Sequence, residues 1–249
     1  MNVAWSRLVC AVGVISVFAM AACGPSKEVR DEFSDPQTQR LAQALLDNNG
    51  AKVTELIHRG ADVNAVDTDG RSMLESAVWK DKHSAFEALL NAGADTAHRD
   101  KDGNAVLHYA AESENPVYLT ESLARHLDPN VETLGHRTPL MLTVFGKNQA
   151  MMHALIAAGA NLEVAESNGD TALIIAAQTN SFDQVIELLH AGANPLAGHR
   201  IQGKPDMTFQ VFLNMTPEKV LSADAKRKKA EIREWLTAHN VPVEQPASK

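Results

Sequence analysis

Residues 41–236 repeat one alternation: an apolar stripe at helical spacing, a polar break, a second stripe, and a loop carrying glycine. The stretch 168–194 shows it most cleanly. Leu173, Ala176 and Ala177 fall on one face of a first helix, and Val185, Leu188 and Leu189 on one face of a second. Thr171 stands where a hydroxyl can accept from an unpaired amide of the first turn. Gly192 stands where a helix ends in a left-handed residue, which the missing Cβ permits. A helix pair this small cannot hide its own apolar stripes, so it must stack on copies of itself.

Those copies recur at a step of 33 residues. First helices start at Ser72, Ala105, Thr138 and Thr171, and Leu74, Leu107, Leu140 and Leu173 follow them. The second-helix core position reads Val53, Phe86, Leu119, Met152, Val185. Loop glycines are Gly70, Gly103 and Gly169, with His136, beside Gly135, in the remaining place. Helix-ending glycines are Gly60, Gly93, Gly159 and Gly192, with His126 in the gap. A register kept without drift over five units marks a solenoid.

With Thr138-Pro139-Leu140-Met141, Ala105-Val106-Leu107-His108 and Gly60-Ala61-Asp62, the chain resembles the ankyrin repeat family over residues 35–240. The resemblance implies an all-α repeat solenoid of about six stacked ankyrin-type helix-turn-helix units with β-hairpin loops. It implies protein binding in place of catalysis. Units are expected near 36–66, 67–99, 100–132, 133–165, 166–194 and 216–240, with an insertion at 195–215 and a polar tail at 241–249. The first unit turns Gln37, Gln39, Arg40 and Gln43 outward, as a capping repeat should. Unit three is irregular: Pro116 opens its second helix, and a β-carbon at His126 costs about 1 kcal/mol in a left-handed turn.

Thr216-Pro217-Glu218 reads as the start of unit six, 45 residues after Thr171, with Ile232, Trp235 and Leu236 as its second-helix core. Inside the insertion, Phe209, Phe212 and Leu213 belong to an apolar group with Met207, Val211 and Met215. Either it roofs the end of the core or it stays out as a docking patch, with Phe209 and Phe212 as its contacts. The basic run 226–229 reads as the solvated side of a closing helix, interleaved with Glu231 and Glu234.

Ahead of the array, residues 1–22 read as a targeting segment, with Arg7 before an uncharged run at 8–20. That run is short for a membrane span, which needs about 20 residues. Met20-Ala21-Ala22-Cys23 resembles a bacterial lipoprotein signal box, which implies a lipid on Cys23. The alternatives are an ordinary leader cut after Ala22 and an uncleaved anchor. Removal of the leader takes Cys10 with it, leaving one thiol and no internal disulfide. Residues 23–35 read as a polar tether that spans at most about 40 Å. By the sorting rule of enteric-type lipoproteins, Pro25 implies the outer membrane, with the array facing the periplasm.

The chain carries 31 acidic against 23 basic residues, a net charge of −8. That excludes a basic nucleic-acid face as the organising feature and points to a protein partner of basic character. Ten histidines raise a metal reading, yet none pairs with another at zinc-site spacing, and no nucleophile elbow or phosphate loop is present. No catalytic residue, metal or cofactor is expected. His108 occupies the histidine slot of the family and is expected to brace neighbouring loops. His58, His83, His153 and His190 fall on exposed helix faces by register. Asp69 and Asp102 precede loop glycines and are expected to bond local amides.

The groove of an ankyrin array is lined by its hairpin tips and inner helices. Here the tip candidates are Arg71, His98, Arg99, Lys101, His136 and Arg137, with Asp67, Thr68, Asn104, Glu132, Glu166 and Asn168 beside them. Inner-helix candidates are Glu75, Trp79, Tyr109, Glu112, Met141 and Phe145. Trp, Tyr and Arg often dominate interfaces. The competing reading is that Trp79, Tyr109 and Phe145 fill gaps between units. Tethered bacterial arrays of this kind resemble immunity proteins that block an antibacterial effector such as a phospholipase. The alternative is a periplasmic scaffold, or an assembly or stress-protection factor for an envelope enzyme. A monomer is expected.

Overall fold

The computed structural model describes Val29, residues 33–199 and residues 207–243. The expected leader and Cys23 lie outside those residues, so the lipid-attachment expectation does too. Five regular helix pairs come first. They are α1 (Pro36–Leu46) with α2 (Gly50–His58), α3 (Met73–Trp79) with α4 (His83–Asn91), and α5 (Val106–Glu112) with α6 (Val117–Ala124). Next come α7 (Pro139–Phe145) with α8 (Gln149–Ala157), and α9 (Ala172–Gln178) with α10 (Phe182–His190). The helix starts are those the spacing predicts. Ser72, Thr138 and Thr171 each accept from the amide three residues on, at 3.3, 3.4 and 3.5 Å, a contact that contributes about 1 kcal/mol. Ala105 has no hydroxyl, and His108 takes over: its Nδ1 accepts from the Ala105 amide at 3.0 Å.

The inner helices α1, α3, α5, α7 and α9 pack in succession, and outer helices pack beside them, α2 on α4 and α6 on α8. One apolar core runs from Val29 to Leu236, and Val53, Phe86, Leu119, Met152 and Val185 are all fully buried in it. At Gly60, Gly93, Gly159 and Gly192 a Cβ would meet nothing within 4 Å. Only the left-handed φ, between 81° and 96°, calls for glycine there. His126 adopts the same turn at φ 60°.

Four expectations need correction. The sixth unit starts earlier: β1 (Gly198–His199) pairs antiparallel with β2 (Met207–Thr208), and α11 (Phe209–Met215) follows. Helix α11 packs on α9, as an inner helix should. Thr208 is its N-cap residue, 37 residues after Thr171, so only four residues exceed the period. Thr216 is an extended residue, and a single 3-10 turn (Glu218–Val220) leads to α12 (Ala223–Ala238), which packs on α10.

The tether and the tail are also shorter than their polarity suggests. Val29 and Phe33 are buried in the core against the first repeat, so the residues from 29 onward are not all free. Val241 and Val243 pack on the core as well, and the Gln210 amide donates to the Pro242 carbonyl at 2.9 Å. Within the basic run, Lys226 and Arg227 are exposed, but Lys229 is buried with Nζ directed to the Thr216 carbonyl at 3.4 Å. Burial holds its ammonium pKa below the usual lysine value.

Candidate protein-binding surface

Each loop between helix pairs closes as a tight hairpin. The amides of Asp67, Asp100, Thr133 and Glu166 donate to the carbonyls of Arg71, Asn104, Arg137 and Asp170, at 2.8 to 3.0 Å and in step with the period. The residue opening the turn holds it. Asp67 Oδ1 accepts from the Asp69 and Arg71 amides, both at 2.9 Å. Asp100 Oδ1 does the same for Asp102 and Asn104, at 2.9 and 2.8 Å. The amide-bonding role assigned to Asp69 and Asp102 therefore belongs to the aspartate two residues earlier, because the side chain reaches forward over the turn.

Neighbouring hairpins are laced together by the predicted cations. Lys101 Nζ donates to the Thr68 carbonyl at 2.6 Å, and Arg99 to the Glu132 carbonyl at 2.7 Å. Arg137 pairs with Glu166 of the next hairpin at 2.8 Å, while His136 pairs with Glu132 of its own hairpin at the same distance. These side chains stay on the surface while setting the spacing of the tips.

Under the hairpins, one slot in the first turn of each inner helix reads Glu75, His108, Met141, Ile174, and all four are buried. Glu75 completes a capping box: Oε2 accepts from the Ser72 amide at 2.7 Å. Both its oxygens face His98 Nδ1, at 3.0 and 3.1 Å. Burial raises the Glu75 pKa despite those partners. Since His108 Nδ1 accepts from Ala105, its Nε2 carries the proton and donates to the Arg137 carbonyl at 3.0 Å. This is the bracing role expected of it, and burial lowers its pKa. Glu75 and Met141 are thus not groove residues: the next hairpin covers this turn of the helix.

The last position of α3, α5, α7 and α9 is open instead. It reads Trp79, Glu112, Phe145 and Gln178, and all four are exposed, Trp79 by 61 % and Phe145 by 42 %. Trp79 therefore fills no gap between units. Its ring meets the edge of Tyr109 at 6.3 Å, and the Arg71 guanidinium lies 5.2 Å from its centre. Arg137 stands likewise 5.6 Å from the Phe145 ring. Tyr109 is half-buried and donates its hydroxyl to Asp100 Oδ2. Burial pushes the Asp100 carboxyl up, but bonds from Tyr109 and Asn104 outweigh it and leave the pKa low.

A cleft of about 670 Å³ opens where unit three departs from the pattern. Inner turns elsewhere close through a left-handed residue, namely Asn48, Asp81, Lys147 and Asn180. At the matching place Glu114 is not left-handed: the chain is already extended one residue earlier at Ser113, with ψ of 144°, and Pro116 opens α6. Proline disfavours a helical conformation at Asn115 before it, so α5 cannot run on into α6 and the turn between them is wider. Val78, Trp79, Asp81, Tyr109, Glu112 and Glu114 are among the residues lining the space.

Sequence reasoning missed Leu134, Asp81 and Asp100. Leu134 is 76 % exposed at a hairpin tip where the other units carry Thr68, Lys101 and Ser167. Its signal was one apolar residue in an otherwise polar column. The patch at Phe209 and Phe212 is corrected: Phe209 is fully buried and Phe212 partly so, because both belong to an inner helix. Among the described residues, no group of three or more His, Cys, Asp and Glu is placed to hold a metal ion. No helix there is long and apolar enough to cross a membrane.

Comparison with known proteins agrees with this architecture. The family described as "Ankyrin repeats (3 copies)" matches residues 41–131 and 107–198. The chain belongs to the ankyrin repeat family, and its stacked helices and hairpins form a protein-binding array. Among similar proteins, "Protein PhlB" of Serratia liquefaciens is 30 % identical over 177 residues, covering 70 % of this chain and 76 % of that protein. Human "Neurogenic locus notch homolog protein 2" is 28 % identical over 173 residues, which cover 69 % of this chain and 7 % of that protein. Mouse "Neurogenic locus notch homolog protein 1" is 31 % identical over 147 residues, or 58 % and 6 %. The chain thus spans a small fraction of the notch proteins' length.

Proposed function

We propose that this protein is held at the bacterial envelope by a lipid on Cys23 and binds a basic protein in its concave face. The proposed partner is an antibacterial effector, such as a phospholipase, whose action it blocks. The observation that carries the binding reading is the row of exposed inner-helix ends, where Trp79 and Phe145 stand open on either side of Glu112. Large aromatic side chains left in water beside arginines are the usual anchors of an interface. The net charge of −8 favours a basic partner and speeds encounter with it. The signal box at Cys23 and the outer-membrane sorting implied by Pro25 support tethering, which concentrates the inhibitor where an incoming enzyme strikes.

Capture from envelope extract and from the secretions of competing bacteria tests this, using the Cys23→Ser protein as bait. The expected result is a basic effector retained by the parent and lost with Trp79→Ala and Phe145→Ala, both of which keep the parent's melting temperature. Capture unaffected by both substitutions would move the site off this face. Recovery of an envelope enzyme whose activity survives binding would favour a scaffold over an inhibitor.

A further inference from the structure

We propose that the cleft between units two and three is a receptor for a single arginine side chain of the partner protein, stacked on Trp79 and paired with Glu112. The inference rests on the reading of the concave face as a protein-binding surface, and it names the chemistry taken at one point of that face.

Four observations combine. The walls supply apolar and aromatic surface from Val78, Trp79 and Tyr109, and carboxylates from Asp81, Glu112 and Glu114, with no lysine, arginine or histidine among the lining residues. Arg71, 5.2 Å from the Trp79 ring centre, is held by Asp67 and Asp69 and is not among the residues lining the cleft. Asp81 is already engaged, by Asn115 Nδ2 at 3.2 Å and the Tyr118 hydroxyl at 2.9 Å, and these bonds hold its pKa low. It contributes a fixed negative charge. Glu112 receives no such donor. It is open to solvent as a residue, yet the protein around its carboxyl strips away water and raises its pKa, with Arg137 as the one charge opposing that.

A carboxylate that is partly desolvated and lacks a donor is stabilised by an arriving cation. The flat guanidinium suits this cleft better than an ammonium, since it can lie on an indole face while two of its N–H groups meet one carboxylate. The volume of about 670 Å³ admits a whole arginine side chain together with flanking backbone. An anionic or apolar occupant would leave the Glu112 carboxylate without a donor.

Calorimetric titration of the full-length protein in detergent with hexa-arginine peptide tests the inference. Glu112→Gln and Trp79→Ala are the cleft variants. Glu87→Gln, which removes one exposed charge from the outer helix α4, is the control. The expected result is binding weakened about tenfold by either cleft variant and unchanged by the control. Equal weakening by Glu112→Gln and Glu87→Gln would mean that only net charge is sensed, and would overturn the cleft as a site. Absence of peptide binding in the parent would overturn it too. A partner protein whose capture depends on Phe145 but not on Glu112 would leave the concave face standing as a binding surface while removing the arginine receptor from it.

Discussion

Units two and three carry polar groups in the slot under their hairpins, whereas units four and five carry apolar ones there. In the slot under the hairpin, Glu75 and His108 engage His98 and the Arg137 carbonyl, while Met141 and Ile174 occupy the same place and are equally buried. The backbone course is the same in both halves. A polar slot is therefore not needed to make the fold. What it adds is position: a buried carboxylate and a buried imidazole each accept one bonding geometry, so they fix the hairpin above them more narrowly than a methionine does. The half with the fixed hairpins is also the half with the cleft, the exposed tryptophan and the arginine stacked on it.

The largest effect should come from breaking the polar slot on one side only. His98→Val leaves Glu75 buried beside nothing but its own cap and should cost about 3 kcal/mol in urea unfolding. Adding Glu75→Met makes both places apolar, as Met141 and Val164 are two periods further on, and should recover most of that loss. A double variant no more stable than His98→Val would show that the two halves are not interchangeable. The same pair carries a pH signature. The folded-state pKa of Glu75 lies above its ordinary value, so folding takes up a proton. Its contribution to stability is full below the ordinary carboxylate value and is lost as pH rises through the folded value. As pH rises above the ordinary carboxylate value, the stability of the parent relative to Glu75→Gln should fall; a rise would mean that His98, not burial, governs this carboxyl.

What the sequence made legible follows from the period. The 33-residue columns placed the caps, the second-helix core, the left-handed helix ends and the bracing His108 correctly, but Glu75 and Met141, which share the His108 column, are buried and not in the groove. Errors arose where two physical readings share one residue pattern. Thr216-Pro217 looks like Thr138-Pro139, but Thr-Pro also suits an extended turn, and the helix that belongs there begins after Thr208. Met141 and Phe145 sit four residues apart on one helix face, which predicts a common fate. Burial splits them because the following hairpin covers the first turn and not the last. The cleft was invisible because it comes from the splayed turn at Ser113 and Pro116, a matter of geometry more than of residue type.

A smaller effect separates unit three from its neighbours at the helix end. His126 holds the left-handed turn that glycine holds in units one, two, four and five. The matching glycines have open space where a Cβ would project, so no packing is lost by removing the side chain. His126→Gly should stabilise the array by about 1 kcal/mol, read as a higher urea midpoint at unchanged slope. A loss of stability would mean that the imidazole makes a contribution large enough to offset the strain.

The smallest expected change in stability is at Leu134, and its size is what makes it informative. The side chain is 76 % exposed, and its backbone amide donates to the Asp102 carbonyl at 3.0 Å whatever the side chain is. Leu134→Ser, which restores the residue that unit five carries at this tip, should alter stability by no more than about 0.5 kcal/mol. If the concave face binds a protein, burial of this leucine in the complex contributes on the order of 1.5 kcal/mol or more. Partner capture should then weaken at least about tenfold while the melting curve stays in place. A shift of the melting curve with capture intact would assign Leu134 to the packing of the hairpins, and would confine the contact surface to the ends of the inner helices.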